Sequence, residues 1–290
     1  MNGKENKMAN KEPQAPAHVD LNVRDYVSVD LSKARRVFSC GDVHGRIDLV
    51  VAEMERVGFD ADAGDWLIMI GDLLDRGPAV LEVRDFLEAN PQVLWLRGNH
   101  EHILQGALFE KHRTDDANGW TLLNNGGRWI LDHVPADMEY MNVLTGMCEG
   151  DATFVSDEIR DFAEMLGEAP VAVRLRTPGG RVVGLVHADV PAADWATMAR
   201  TLLSDDIEAR GWMAARCMWS RDRINDYRRH ESFGALADFD CTVDGVDHVF
   251  FGHTTTAKPI THSNCSWIDT GAFKTDVLTF VEIDEWVSTR

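Results

Sequence analysis

The chain has 290 residues, 44% of them hydrophobic, enough to bury a sizeable core without an external staple. A formal net charge of −19 argues against a broad basic surface for nucleic-acid backbone, although a local group of arginines can still grip one phosphate. Five scattered cysteines, Cys40, Cys148, Cys217, Cys241 and Cys265, never form a Cys-x-x-Cys pair, which argues against a disulfide framework or a thiolate zinc site and suits a reducing cytoplasm.

From the N-terminus, Met1 to Val19 is polar and lacks the apolar segment of a signal peptide. Residues 1–30 read as a poorly ordered tail, and residues 31–290 as a single catalytic domain with no internal linker. No run is long and apolar enough to span a bilayer, so no membrane partner is expected. Arg36 to Cys40 (RVFSC), Trp66 to Ile70 (WLIMI) and Val93 to Leu96 (VLWL) read as short buried strands. Amphipathic stretches at Ile47 to Val57 and Ala79 to Ala89 separate them, giving the βαβ alternation of a parallel sheet in an α/β fold. A helix follows at His100 to Arg113, then a middle region broken by Asn124-Asn125-Gly126-Gly127, and another helix at Ser156 to Leu166. Val171 to Arg176 and Arg181 to Ala188 form a hairpin around Thr177-Pro178-Gly179-Gly180. Ala192 to Arg229 is mostly helical, Asp247 to Phe251 is one more strand, and Pro259 to His262, Ser266 to Asp269 and Val277 to Ile283 read as a β meander.

Three segments, Gly41-Asp42-Val43-His44-Gly45, Gly71-Asp72-Leu73-Leu74-Asp75-Arg76-Gly77 and Gly98-Asn99-His100-Glu101, directly follow the first three strands. Any one is a turn signal; three in register at strand ends point to a site, because open α/β sheets collect chemistry there. With His187 and His253 at two later strand ends, the chain offers Asp42, His44, Asp72, Asn99, His187 and His253 as ligands. Carboxylate, imidazole and amide oxygen without sulfur suit hard or borderline divalent ions such as manganese, iron or zinc. Six ligands suggest two ions sharing Asp72, which would generate hydroxide near neutral pH for in-line displacement at phosphorus. Arg76 and Arg97 flank these loops and can hold phosphate oxygens. His100 is available as general acid, with Asp75 to hold its imidazolium.

These three motifs, with Val186-His187 and Gly252-His253-Thr254, resemble the phosphoprotein phosphatase family of metallophosphoesterases from about Val37 to Ile283. Asn125-Gly126-Gly127, Leu185 to Asp189, Trp219 to Arg223 and Ile268 to Ala272 resemble its bacterial and phage-lambda-type serine/threonine phosphatases. The resemblance implies a β-sandwich flanked by helices, and phosphomonoester hydrolysis without a phosphoenzyme. It assigns Asp42, His44 and Asp72 to one metal, and Asp72, Asn99, His187 and His253 to the other. It also adds Arg221 to the phosphate-binding arginines. Many metallophosphoesterases read Gly-His-x-His where Thr255 stands here, which matches the phosphoprotein phosphatase branch.

Three functions compete. The first is a serine/threonine protein phosphatase that also hydrolyses small phosphoesters. The second is a symmetrical bis(5'-nucleosyl)-tetraphosphatase or other nucleotide phosphodiesterase, and the third a catalytically silent metal-bound binding module. Asp75 and Glu101 favour the first over the second, since those hydrolases usually lack both, and the complete ligand set weighs against the third.

Overall fold

The computed structural model describes residues 25–110, 119–150 and 152–290. Ten strands divide into two sheets. In chain order they are β1 (Tyr26–Asp30), β2 (Arg36–Cys40), β3 (Asp65–Met69), β4 (Val93–Trp95), β5 (Ala172–Arg176), β6 (Val182–Val186), β7 (His248–Phe251), β8 (Ile260–His262), β9 (Cys265–Trp267) and β10 (Phe280–Glu282). One sheet has the order β1-β5-β6-β7-β9-β8, the other β10-β2-β3-β4.

The sheets stack face to face, and strand periodicity shows why. Val37, Ile68 and Ile70 from one sheet meet Val173, Leu175, Val183, Leu185 and Phe250 from the other in a shared core. The alternate residues Phe38, Leu67 and Met69 turn outward beneath helices α1 (Ile47–Val57), α2 (Val80–Ala89) and α3 (Asn99–Phe109). Short helices α4 (Gly119–Asn124), α5 (Tyr140–Glu149) and α6 (Asp157–Gly167) extend that layer. On the opposite side Val249 and Phe251 pack under α7 (Trp195–Leu202), α8 (Ile207–Trp219) and α9 (Asp222–Ser232). Strands covered on both faces need continuous apolar runs, which is what the sequence supplies. The expected sandwich flanked by helices is therefore present.

Two features differ from the sequence reading. Tyr26–Asp30, placed in the tail, is a strand pairing in parallel with Ala172–Arg176; its alternating Val27 and Val29 reach the shared core while Ser28 and Asp30 face out. Residues 1–24, the rest of that tail, lie outside the described residues, as does the expected end of the third helix at residues 111–113. Val277 to Ile283 does not complete a meander. Only β8 and β9 pair as a hairpin, and β10 crosses to the other sheet, antiparallel to β2, where Phe280 packs against Phe38 and Val281 enters the shared core.

The N-terminal ends of β2 and β3 are tied by an ion cluster. Asp65, with no side-chain exposure, accepts Arg35 Nη2 and Arg36 Nη2 at 2.6 Å each and the Asp60 amide at 3.0 Å. The C-terminal ends are left to carry chemistry.

Candidate metal centre

Five strands deliver the expected ligands at their C-terminal ends: Asp42 and His44 after β2, Asp72 after β3, Asn99 after β4, His187 after β6 and His253 after β7. All six are buried. The chain turns sharply to bring them there. His44, Asp72, Asp75, Arg76 and His253 all take positive φ, and among the described non-glycine residues only Ser263 and Asp276 share that conformation. Left-handed backbone on such residues costs of order 1 kcal/mol or more each and persists where the surroundings over-determine it. Glu101 supplies part of that restraint, accepting the amides of Asp72 at 2.9 Å, Leu73 at 2.7 Å and Gly98 at 2.8 Å. Close approach fixes two glycines as well: a Cβ on Gly98 would lie 2.3 Å from Asp72 Oδ1, and one on Gly252 2.2 Å from Asp42 Oδ1.

Asp72 occupies the centre. Its Oδ1 lies 3.3 Å from His187 Nε2, and its Oδ2 lies 3.6 Å from His44 Nε2 and 3.8 Å from His100 Nε2. Two clusters share it, His44 with His100 and His187 with His253, the ligand atoms of each lying within 4.8 Å of one another. Asn99 Oδ1 joins the second, 3.0 Å from His187 Nε2 and 2.8 Å from His253 Nδ1. Asp42 lies beside these clusters, close enough to feel the charges of Asp72 and His187, and its oxygens accept the His253 amide at 3.0 and 3.1 Å.

The donor chemistry fits a cation. His44 Nδ1 is 2.8 Å from the Leu74 carbonyl and His187 Nδ1 is 2.7 Å from the Ile70 carbonyl, so each ring donates from Nδ1 and turns Nε2 toward the carboxylate. The two rings and Asp72 converge on positive charge, supplied by Arg76 at His44 Nε2 and by a proton on His187, a place that a divalent ion would take. Burial, aided by His100 and Arg76 and opposed by Asp72, pulls His44 down to about 3 and keeps it a neutral ligand. Burial also disfavours a proton on His187, but the charge and hydrogen bond of Asp72 outweigh it and raise His187 to about 10. That proton is what a divalent ion would displace.

His100 Nδ1 lies 2.6 Å from Asp75 Oδ2, and the other Asp75 oxygen accepts the Trp129 indole at 2.6 Å. The His100 Nε2 is buried without a hydrogen-bond partner. Burial opposes a charge on this ring, but Asp72 and the Asp75 hydrogen bond prevail and raise its pKa. Arg76 joins the centre directly, with Nη1 2.7 Å from His44 Nε2 and its guanidinium 5.0 Å from the Phe273 ring. Arg221, exposed at the start of α9, feels the charges of Asp72, Asp42 and Arg76, while partial burial lowers its pKa. Arg97 does not join them. Its Nη1 donates to the Gly167 carbonyl at 2.8 Å and its Nη2 pairs with Asp25, so its guanidinium ties β4 to the end of α6 and the start of β1. Its guanidinium is thus engaged with protein groups rather than with the phosphate expected of it from the sequence.

The family profile of the calcineurin-like phosphoesterases matches residues 35–256. The chain belongs to this family. Among curated relatives, Serine/threonine-protein phosphatase 1 of Salmonella typhimurium is 25% identical over 258 residues, covering 89% of this chain and 96% of that protein. Serine/threonine-protein phosphatase 2 of the same organism is 27% identical over 258 residues, covering 89% and 97%. Among solved structures, a protein provisionally assigned as a diadenosine tetraphosphatase aligns with 89% of this chain and 98% of its own, at a TM-score of 0.51 and 16% identity, which speaks to the fold alone.

For a calcineurin-like phosphoesterase, three supports of this centre lie outside the ligand motifs, and the sequence reading weighs only Asp189 among them, as a support of the site or a helix cap. Trp129 has no chemical signature, although Gly126-Gly127 just before it is a signal: the Arg76 amide donates to the Gly126 carbonyl at 3.2 Å, and a Cβ on Gly126 would strike Arg76. Asp269 accepts the Thr255 hydroxyl at 2.9 Å and the Gly271 amide at 2.7 Å, and its charge, after burial, raises Asp42. Asp189 accepts Ser220 Oγ at 3.0 Å and braces the loop that carries Arg221.

Proposed function

We propose that this metallophosphoesterase hydrolyses phosphomonoesters, foremost phosphoserine and phosphothreonine on proteins, with two divalent ions that are manganese in the native state, iron or zinc being able to substitute. Asp42, His44, Asp72, Asn99, His187 and His253 would hold the ions. When bound, such ions neutralise developing charge on the phosphoryl group and activate water.

The protein's own groups have separate tasks in this reading. Arg76 and Arg221 fasten the nonbridging oxygens, where a guanidinium fork matches two acceptors. His100 delivers a proton from Nε2 to the departing oxygen while Asp75 holds Nδ1 and Trp129 holds Asp75. This buried acid carries the choice of substrate. A serine or threonine alkoxide is a strong base and leaves only when protonated, whereas the nucleotide phosphate expelled from a dinucleoside polyphosphate is a weak base and leaves unaided. A relay built to protonate the leaving group therefore favours the alkyl ester, and the names of the curated relatives support the same reading.

The four described cysteines are free, and no helix among the described residues is long and apolar enough to cross a membrane. In this reading the enzyme works in a reducing cytoplasm, which the free cysteines suit, and its partners are phosphoproteins or small phosphoesters. The test is a substrate panel at one manganese concentration: phosphoserine, phosphothreonine and phosphotyrosine peptides against diadenosine tetraphosphate. Higher kcat/KM on the first two is expected. Preference for the dinucleotide would replace this reading with the tetraphosphatase, and no turnover of any substrate would leave only a binding module.

A further inference from the structure

Cys241 and Cys265 stand apart in sequence and touch in space. The Cys265 thiol donates to the Cys241 carbonyl at 3.2 Å, and the Cys241 thiol donates to the carbonyl of His262 at 3.3 Å. His262 is itself the cross-strand partner of Cys265 in the β8–β9 hairpin. Both thiols are buried, and neither has a part in the phosphoryl chemistry.

Their surroundings are unequal. Cys241 is among the residues lining a cavity of about 560 Å³, together with Asp189, Arg216 and Arg223, whereas Cys265 is not. Interaction with the Cys265 thiol holds Cys241 below the usual thiol range against the effect of burial; the Ser263 hydroxyl, His262 and Arg223 act in the same direction. The same sulfur contact, with burial, pushes Cys265 up. One thiol suited to attack and one to follow is the arrangement of a reactive and a resolving cysteine.

The location gives the pair a connection to catalysis. Arg223 Nη1 donates to the Cys241 carbonyl at 2.7 Å, and its Nε and backbone amide donate to Asp189 at 3.1 and 3.2 Å. Asp189 follows the ligand His187 by two residues and accepts the hydroxyl of Ser220, the neighbour of Arg221. A shift of residue 241 is thus transmitted through Arg223 and Asp189 to the loop that presents a phosphate-binding arginine.

We propose that Cys241 and Cys265 are a peroxide-responsive thiol pair that closes to a reversible disulfide and thereby restrains the Arg221 loop. Cys241 thiolate attacks one oxygen of hydrogen peroxide and breaks the O–O bond; the departing hydroxide takes up a proton, leaving a sulfenic acid and water. Cys265 then attacks the Cys241 sulfur and expels the second oxygen as water. Two thiols and one peroxide give one disulfide and two waters.

The experiment exposes the full chain, loaded with manganese, to dilute hydrogen peroxide, and maps the peptides without reduction. A Cys241–Cys265 cross-linked peptide, lighter by two hydrogen atoms and split again by dithiothreitol, is expected. In Cys265→Ala, and in Cys265→Ser should the first variant fold poorly, Cys241 should stop at a sulfenic acid that dimedone traps. Turnover of p-nitrophenyl phosphate should fall several-fold on cross-linking, return with dithiothreitol, and not follow that reversible course in the Cys265 variants, which separates thiol chemistry from oxidation of the metal. A cross-link to another cysteine, or Cys241 reacting no faster than Cys40, would overturn the pair. Unchanged turnover in the cross-linked protein would overturn its link to the Arg221 loop, leaving the reading as a phosphatase intact.

Discussion

Asp75 and His100 meet at 2.6 Å with no exposure of either side chain, so the imidazole can turn only one nitrogen toward substrate. Replacing His100 with Asn should therefore slow hydrolysis of phosphoserine by about 10²-fold or more, the usual worth of a positioned acid. Hydrolysis of p-nitrophenyl phosphate should slow far less, because nitrophenolate leaves without a proton. Steady-state kinetics on both substrates check this; equal losses would remove His100 from the role of acid.

Asp72 is the one residue shared by both ligand clusters. Asp72→Asn should lower bound manganese, read by elemental analysis, and reduce turnover by roughly 10²-fold or more, since a metal's charge contributes several kcal/mol to the transition state. Chelation of the wild type should abolish turnover and added manganese should restore it. Full activity in the variant would sink the dinuclear assignment.

Arg97 and Arg221 should separate cleanly in their effects. Arg97→Met leaves the Gly167 carbonyl unpaired and Asp25 with only the longer Arg210 contact at 3.7 Å, and is expected to cost about 1–3 kcal/mol of stability by urea unfolding with little change in KM. Arg221→Ala is expected to raise KM and weaken inhibition by inorganic phosphate, with stability near wild type because the side chain is exposed. A raised KM with unchanged stability in the Arg97 variant would reinstate it as a phosphate ligand.

The Asp65 cluster predicts an acid limb in stability. Burial alone would raise this carboxyl, but its bonds to Arg35 and Arg36 prevail and lower it to about 2. The unfolded chain takes up the proton near 3.8, so the cluster's contribution is complete above that pH and disappears as the pH falls through about 2. The shift corresponds to about 2 kcal/mol. Metal-free Asp65→Asn should be less stable than wild type at pH 7, and the gap should narrow between pH 4 and 2; a constant gap would contradict the charge-based account.

Much of the architecture could be read locally. WLIMI is apolar at every position because β3 is covered on both faces, with Leu67 and Met69 under helices and Ile68 in the shared core. The glycine-flanked loops were legible for a related reason: a polar ligand directly after a buried strand must lie at the strand's end. The last strand was not. Phe280 and Val281 have the pattern of any buried strand, and their place beside β2 depends on Phe38 and Cys40, some 240 residues earlier, which pattern alone does not specify.

The sequence by itself determined the family, the candidate ligands and the strand ends that carry them, since side-chain chemistry and short-range hydrophobic periodicity are properties of neighbouring residues. Only the tertiary structure decided what each charged or reactive group does. It committed Arg97 to Gly167 and Asp25, placed Trp129 on Asp75, put Asp42 under the His253 amide and set Cys241 beside Cys265. Each outcome depends on a contact between segments distant in the chain, and a polar group's role follows from the partner that burial forces on it.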